Sequence, residues 1–291
     1  MQSSIPKFNK TRIAPTPSGF LHLGNVLSFA LTAGLAKKTG AKILLRIDDL
    51  DRERANKLYV QDIFDTLNFL EIPWDEGPRN LHEFETIYSQ AHRMDIYDGF
   101  LQQLKQSGEI FACTCSRTQI HACNCHNSSI PLDTPNASWR LRTNREKELS
   151  IKTLNHGIVK TTLPDEMKDF MVKKKDGYPS YQLASLADDL HYGIDLVVRG
   201  QDLWPSTIAQ HFLAEALQKT DFQKITFHHH PLLMANGEKL SKSAGDTSIQ
   251  YLRGQGKSAA DVYGEIGRMM EIKETVNHWQ QLSESQIKLL F

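Results

Sequence analysis

Three stretches of this chain hold residues whose types and spacing could do chemistry. Residues 15–25 read PTPSGFLHLGN and residues 237–246 read GEKLSKSAGD. In the first, Gly19 and Gly24 let the backbone approach a ligand closely. His22 and Asn25 stand three apart, so at a helix start both point at one phosphate beside unpaired N–H groups. In the second, Lys239 and Lys242 are point charges on flexible stems, interleaved with the hydroxyl of Ser241. They suit negative charge that grows as a phosphate bond breaks. Each stretch alone also reads blandly, as a proline-punctuated turn capped by asparagine and as a solvated lysine loop. The third stretch is CTCSRTQIHACNCH, which holds all four cysteines: Cys113, Cys115, Cys123 and Cys125. Structural disulfides are usually scattered to close loops, so clustering points to a metal. Two Cys-x-Cys pairs can wrap four thiolates around one Zn²⁺. His126 is the alternative ligand, and four reduced thiols are the remaining reading. The run His228, His229, His230 looks like a metal site too, but successive strand residues point to opposite faces and cannot converge on one ion. It reads as a strand end.

The elements that must position these groups alternate. TRIAP (11–15) reads as a strand and 25–38 as a helix stopped at Gly40. AKILLRI (41–47) is a short apolar run of the kind buried in parallel sheets. Helices are expected over 53–70 and 82–107. After an irregular, charged stretch, the alternation resumes with SYQLASLADDL, then IDLVVRG (194–200), then a helix near Pro205. This is the βαβ order of a doubly wound α/β fold, a Rossmann-type parallel sheet with ligands at the strands' carboxyl ends. The expected division is 1–110 for the first half of the sheet domain, 111–168 for an inserted cysteine module, 169–245 for the second half, and 246–291 for a short helical tail. The 291 residues carry 34 basic and 34 acidic side chains, with 40% hydrophobic and 23% charged residues. Such numbers fit a globular chain without a global nucleic-acid signature. The N-terminus lacks a signal-peptide core and no apolar run is long enough to span a bilayer, so a cytoplasmic protein is expected, with a monomer as the default because no feature argues for an oligomer.

Taken together and in this order, the HxGx-like corner, the KxSKS segment and three longer stretches resemble the class I aminoacyl-tRNA synthetases of the glutamyl/glutaminyl branch. Those stretches are RIAPTPSGFLHLGN, LLRIDDLDRER and SYQLASLADDLHYGIDLVVRGQDLWPST. The resemblance runs from about 10 to 245. The second histidine of the family's HIGH tetrad is Asn25 here, which can still donate a hydrogen bond. The resemblance implies ATP and glutamate as substrates. His22, Asn25 and Lys242 would be catalytic, with Pro15, Gly24, Lys239, Ser241 and Lys242 at the ATP, which carries Mg²⁺. It implies glutamate contacts by Arg12, Ala14, Ser18, Asp48, Tyr181 and Arg199, since a guanidinium fork binds a carboxylate through two bonds. Surface ion pairs are the plainer reading of the two arginines. The family usually reads RIED where this chain has RIDD, so Asp48 offers the substrate ammonium a shorter side chain.

Relatives of this catalytic domain often carry zinc near the cysteines, which implies one structural Zn²⁺ closing the inserted module. Fewer than fifty residues follow the KLSKS segment, too few for an anticodon-reading domain. That resembles the compact family of glutamyl-queuosine tRNA(Asp) synthetases, which load glutamate onto queuosine in the anticodon loop. The expected partner is then tRNA(Asp), with Arg140, Arg142, Arg145 and Lys147 either near phosphates or simply solvated. The competing expectations are a short glutamyl-tRNA synthetase that charges the tRNA 3′ end, and a non-catalytic paralogue that binds an amino acid or adenylate.

Overall fold

The computed structural model describes residues 5–116, 118–119, 123–235, 238–239, 248–288 and 290. In chain order, the elements begin with β1 (Lys10–Ile13), α1 (Leu23–Thr39), β2 (Lys42–Leu45), α2 (Lys57–Phe69) and α3 (Leu81–Glu83). Next come α4 (Met94–Ser107), β3 (Ile110–Cys113), β4 (Ser138–Leu141), β5 (Leu149–Thr153), β6 (Gly157–Thr161), β7 (Met171–Lys173) and α5 (Tyr181–His191). The chain continues through β8 (Leu196–Gly200), α6 (Trp204–Ala216), α7 (Thr220–Gln223), β9 (Thr226–His230), β10 (Met234–Ala235) and β11 (Glu238–Lys239). It ends in α8 (Ile249–Gly254), α9 (Ala259–Met269) and α10 (Trp279–Ile287). These elements form two compact units. The first comprises 1–92, 194–202 and 226–291, and the second 93–193 and 203–225.

The first unit is built on parallel strand pairs. β1 pairs with β2 and β8 with β9, both parallel. Asp195 joins the pairs: its backbone N–H donates to the Lys10 carbonyl at 3.0 Å, and its carboxylate accepts from the N–H groups of Asn9 and Lys10. Further along, the Arg12 guanidinium donates to the Val198 carbonyl at 3.3 Å. The contacts advance together along both strands, so both pairs present their carboxyl ends at one edge. The connecting helix α1 is apolar around most of its circumference, with Val26, Leu27, Ala30, Leu31 and Leu35 buried, as a helix enclosed on several sides must be. Gly40 ends it in the left-handed conformation at φ 83°, the conformation glycine adopts without steric cost.

Two expected helices are shorter than their periodicity suggests. The helix placed at 53–70 starts at Lys57, because the Asn56 side chain caps it by accepting from the Leu58 N–H at 2.9 Å. The helix placed at 82–107 is interrupted after Tyr88 by an extended Ser89. The interruption has a tertiary cause: Ser89 Oγ donates to Asp49 at 2.6 Å and the Gln90 N–H donates to the same carboxylate at 2.8 Å.

In the second unit β3, β4 and β7 form an antiparallel sheet in that order, and β5–β6 is a hairpin. A buried ion pair organises its helices. The Arg93 guanidinium donates through Nε to Asp188 at 2.8 Å, and the Tyr97 hydroxyl donates to the same carboxylate at 2.8 Å. Among the described residues, no helix is long and apolar enough to cross a membrane.

Candidate active site

The first β–α corner is organised by its own side chains. His22 is the N-cap of α1 and its Nδ1 accepts a hydrogen bond from the Gly24 N–H at 3.1 Å. In return, Asn25 Oδ1 accepts from the His22 N–H at 3.1 Å, which closes a capping box. The two bonds fix what each residue presents. An imidazole whose Nδ1 accepts carries its proton on Nε2, and an asparagine whose oxygen is occupied presents its NH₂. A Cβ at Gly24 would stand 3.0 Å from His22 Cε1 and would press the imidazole out of its present position. The corner therefore presents a neutral histidine donor and an amide donor beside the first N–H groups of a helix, an anion-binding arrangement. Neighbouring Pro15 is buried and its carbonyl accepts from the Asp48 N–H at 2.9 Å, while Ala14 and Ser18 are half-buried in the same loop.

The late segment returns to this corner. His22 and Ser248 form an antiparallel bridge, and the Ile249 N–H donates to the Leu21 carbonyl at 2.7 Å. Lys239 ends the short β10–β11 hairpin. Ser241 and Lys242 lie outside the described residues.

Two guanidiniums stand at the same edge. Arg12 on β1 is 5% exposed and Arg199 on β8 is 3% exposed. Arg199 pairs across the strands with His229 and lies over the Phe227 ring, 5.2 Å from its centroid. Phe227 and His229 stack with an interplanar angle of 13°. Burial holds His229 down to about 3, and the positive charges of Arg199 and Arg12 add to the shift. Both guanidiniums therefore act on the charge of this one ring. Burial also holds His228 down to about 4 and lowers His230. The three histidines are thus neutral near pH 7, and the strand's alternation puts His229 on one face with His228 and His230 on the other, as the sequence indicates.

The carboxyl end of β2 contributes a feature that sequence reading passes over. Arg46 and Asp48 form a two-pronged ion pair, Nε to Oδ1 at 2.7 Å and NH2 to Oδ2 at 3.0 Å, with both side chains buried. Residues two apart in extended chain share a face, so the RID spacing carries this signal. Asp48 stands at the same edge as Arg12 and Arg199, already charge-compensated. Tyr181 is the first residue of α5 in the second unit, where it is 42% exposed.

The cysteine cluster belongs to the second unit. The Sγ atoms of Cys113, Cys115, Cys123 and Cys125 all lie within 4.8 Å of one another. Cys113 and Cys123 are 3.6 Å apart, as are Cys115 and Cys125, with no disulfide. Tetrahedral zinc with bonds of about 2.3 Å needs sulfur–sulfur edges of roughly 3.8 Å, so these residues fit the ion. Without a cation the thiols ionise unevenly: Cys115 is pushed up to about 12, first by its hydrogen bond to Cys125 and then by burial. Burial raises Cys123, whereas at Cys113 burial is outweighed by hydrogen bonds from its neighbours and the thiol is lowered. His126 is not part of the group. Its ring packs edge-on against Phe111 and its carbonyl accepts from Arg142 at 2.6 Å.

Comparison with known proteins gives the family. Residues 9–135 and 132–285 match the family of class I tRNA synthetases (E and Q), catalytic domain. A glutamyl-Q tRNA(Asp) synthetase of Synechococcus sp. (strain CC9605) is 33% identical over 276 residues, which covers 90% of this chain and 83% of that protein. Glutamate–tRNA ligase 2 of Syntrophus aciditrophicus (strain SB) is 30% identical over 278 residues, covering 88% of this chain. The chain spans only about half of that ligase, 55% of its length. The fold matches a glutamate–tRNA synthetase from Elizabethkingia anophelis with a TM-score of 0.74 at 21% identity, covering 95% of this chain and 65% of that one. This chain therefore belongs to the class I tRNA synthetases of the E and Q group.

Proposed function

We propose that the protein activates glutamate with ATP to form glutamyl adenylate and transfers the glutamyl group to tRNA, most specifically to queuosine in the anticodon of tRNA(Asp). The observation that carries the activation step is the pair of buried guanidiniums on neighbouring strands, with an anion-binding helix start following the first of them. A guanidinium fork binds a carboxylate through two bonds, so a glutamate facing ATP would offer carboxylates to Arg12 and Arg199 and phosphates to the corner.

The first step joins a glutamate carboxylate oxygen to the α-phosphorus while the bond to pyrophosphate breaks. His22 Nε2–H, the Asn25 amide and the α1 N–H groups donate to phosphate oxygens as charge shifts onto them, and Lys242 is assigned the leaving pyrophosphate. The second step moves the glutamyl carbonyl carbon from the adenylate to an RNA hydroxyl and releases AMP. Holding the reactants in line supplies the rest of the acceleration. Mg²⁺ accompanying ATP would offset phosphate charge. Zn²⁺ on the four cysteines would be structural and takes no part in these steps. Asp48, held by Arg46, is assigned the substrate ammonium.

The names of relatives with similar length support the queuosine acceptor, as does the likeness of the chain to them over most of its length. The second reading, charging of the tRNA 3′ end, is favoured by the ligase names among equally similar relatives. Pyrophosphate exchange with glutamate in the absence of RNA tests activation, and no exchange with any amino acid would refute it. Loading of queuosine-containing tRNA(Asp), but not of the unmodified transcript, then separates the acceptors.

A further inference from the structure

The carboxylate of Asp62 on α2 has no part in these steps, yet it is tied to the segments on both sides of His22. It is 4% exposed. Its Oδ2 accepts a hydrogen bond from the Leu21 N–H at 3.2 Å, one residue before His22. The carbonyl of the same Leu21 accepts from Ile249, the first residue of α8. One turn further along α8, Arg253 NH1 stands 3.9 Å from Asp62 Oδ1, and the Arg253 guanidinium lies over the Phe69 ring of α2. Burial pushes the Asp62 carboxyl up, the Leu21 N–H and Arg253 draw it back, and Asp65 pushes it up again. A buried carboxylate carries a desolvation penalty that only specific partners offset. Packing alone would place a leucine here.

We propose that Asp62 is a positioning residue for His22: by holding the Leu21 N–H from α2 while α8 holds the Leu21 carbonyl, it fixes the corner that presents the imidazole to the nucleotide. The inference rests on the nucleotide reading above. Without Asp62, the corner shifts relative to α1 while Arg12 and Arg199, on strands, stay in place. The defect therefore falls on ATP and spares glutamate.

The test uses Asp62→Leu, Asp62→Asn and Arg253→Met in the full chain, with pyrophosphate exchange and thermal melting. Asp62→Leu is expected to raise KM for ATP between about 10- and 100-fold, as misplaced phosphate donors do, with KM for glutamate within about twofold of wild type. Asp62→Asn keeps an acceptor for the Leu21 N–H and recovers most of the loss. In a His22→Ala background, Asp62→Leu adds little, because the group it positions is gone. Equal rises in both KM values, or full additivity with His22→Ala, would overturn the proposal and leave a purely structural carboxylate. If Asp62→Leu does not fold, the milder variants decide: a raised KM for ATP in Arg253→Met supports the assignment, and unchanged ATP kinetics in both Arg253→Met and Asp62→Asn refutes it. If the wild-type protein exchanges with no amino acid, the functional reading fails separately. ATP affinity by calorimetry then judges Asp62 alone, lowered in the variants if it positions the corner and unchanged if it does not.

Discussion

At the residue scale, the site depends on which side chains stay neutral. Arg12 and Arg199 both act on the His229 ring, and a charged imidazole there would add a third positive charge beside theirs. Burial prevents it. The same burial makes the β9 histidines a source of acid sensitivity. His228 has a folded value of about 4 against 6.5 for the free side chain. Between those values the unfolded chain binds a proton that the folded chain refuses, so stability is full above pH 6.5 and falls as pH drops toward 4. For His228 the loss is on the order of 3 kcal/mol across that window. Melting temperature measured from pH 7.5 to 4.5 should therefore decline from about pH 6.5, before carboxylates take over. His228→Gln should flatten the upper part of that decline. A wild-type curve flat down to pH 5 would contradict the burial of these rings.

At the element scale, the helix that carries the corner is clamped by the last helix of the chain. A Cβ at Gly34 of α1 would stand 2.3 Å from Ser283 Cβ and 2.9 Å from Ile287 Cδ1 of α10. Ser283 Cβ is fixed to its backbone and cannot rotate away, so α10 would have to move. Gly34→Ala gains about 1 kcal/mol in helix propensity and loses about 1–3 kcal/mol to overpacking. The loss wins because the obstacle is rigid. The expected result is a melting temperature lower by several degrees, and the substitution should cost less in a Ser283→Gly background, where the seam has room. Additive effects would mean that the two helices do not meet there. Local periodicity makes much of this architecture legible: the apolar run of α1, its glycine stop and the alternation in β9 are all readable along the chain. The interruption at Ser89 is not. Asp49 imposes it from 40 residues away, and propensity contains no term for a hydrogen bond made by tertiary contact. Asp62 with Leu21 is hidden for the same reason, whereas Arg46 with Asp48 is spaced at a strand period and was there to be read.

At the scale of the whole molecule, the two candidate chemistries fall in separate compact units, the phosphate corner in the first and the thiolate cluster in the second. Contiguous motifs betray both, because a helix corner and a pair of Cys-x-Cys knuckles are each built from neighbours in sequence. The four-sulfur geometry predicts how the second unit holds together. β3 ends in Cys113, and Phe111, Cys113, Cys125 and Ile130 share one small apolar cluster with the outer cysteines. A bound metal would supply so small a cluster with much of its stability, since binding free energy at a structural zinc site is folding free energy. The purified chain is expected to hold about one zinc per molecule. A strong chelator should expose four thiols to a thiol reagent and lower the melting temperature, and Cys125→Ser should lose the metal. His126→Ala should retain it, because the His126 ring is engaged with Phe111 rather than with the sulfurs. Loss of zinc in His126→Ala with retention in Cys125→Ser would move the fourth ligand to the histidine. A chain that binds no zinc while all four thiols react freely would reduce the cluster to four packed cysteines.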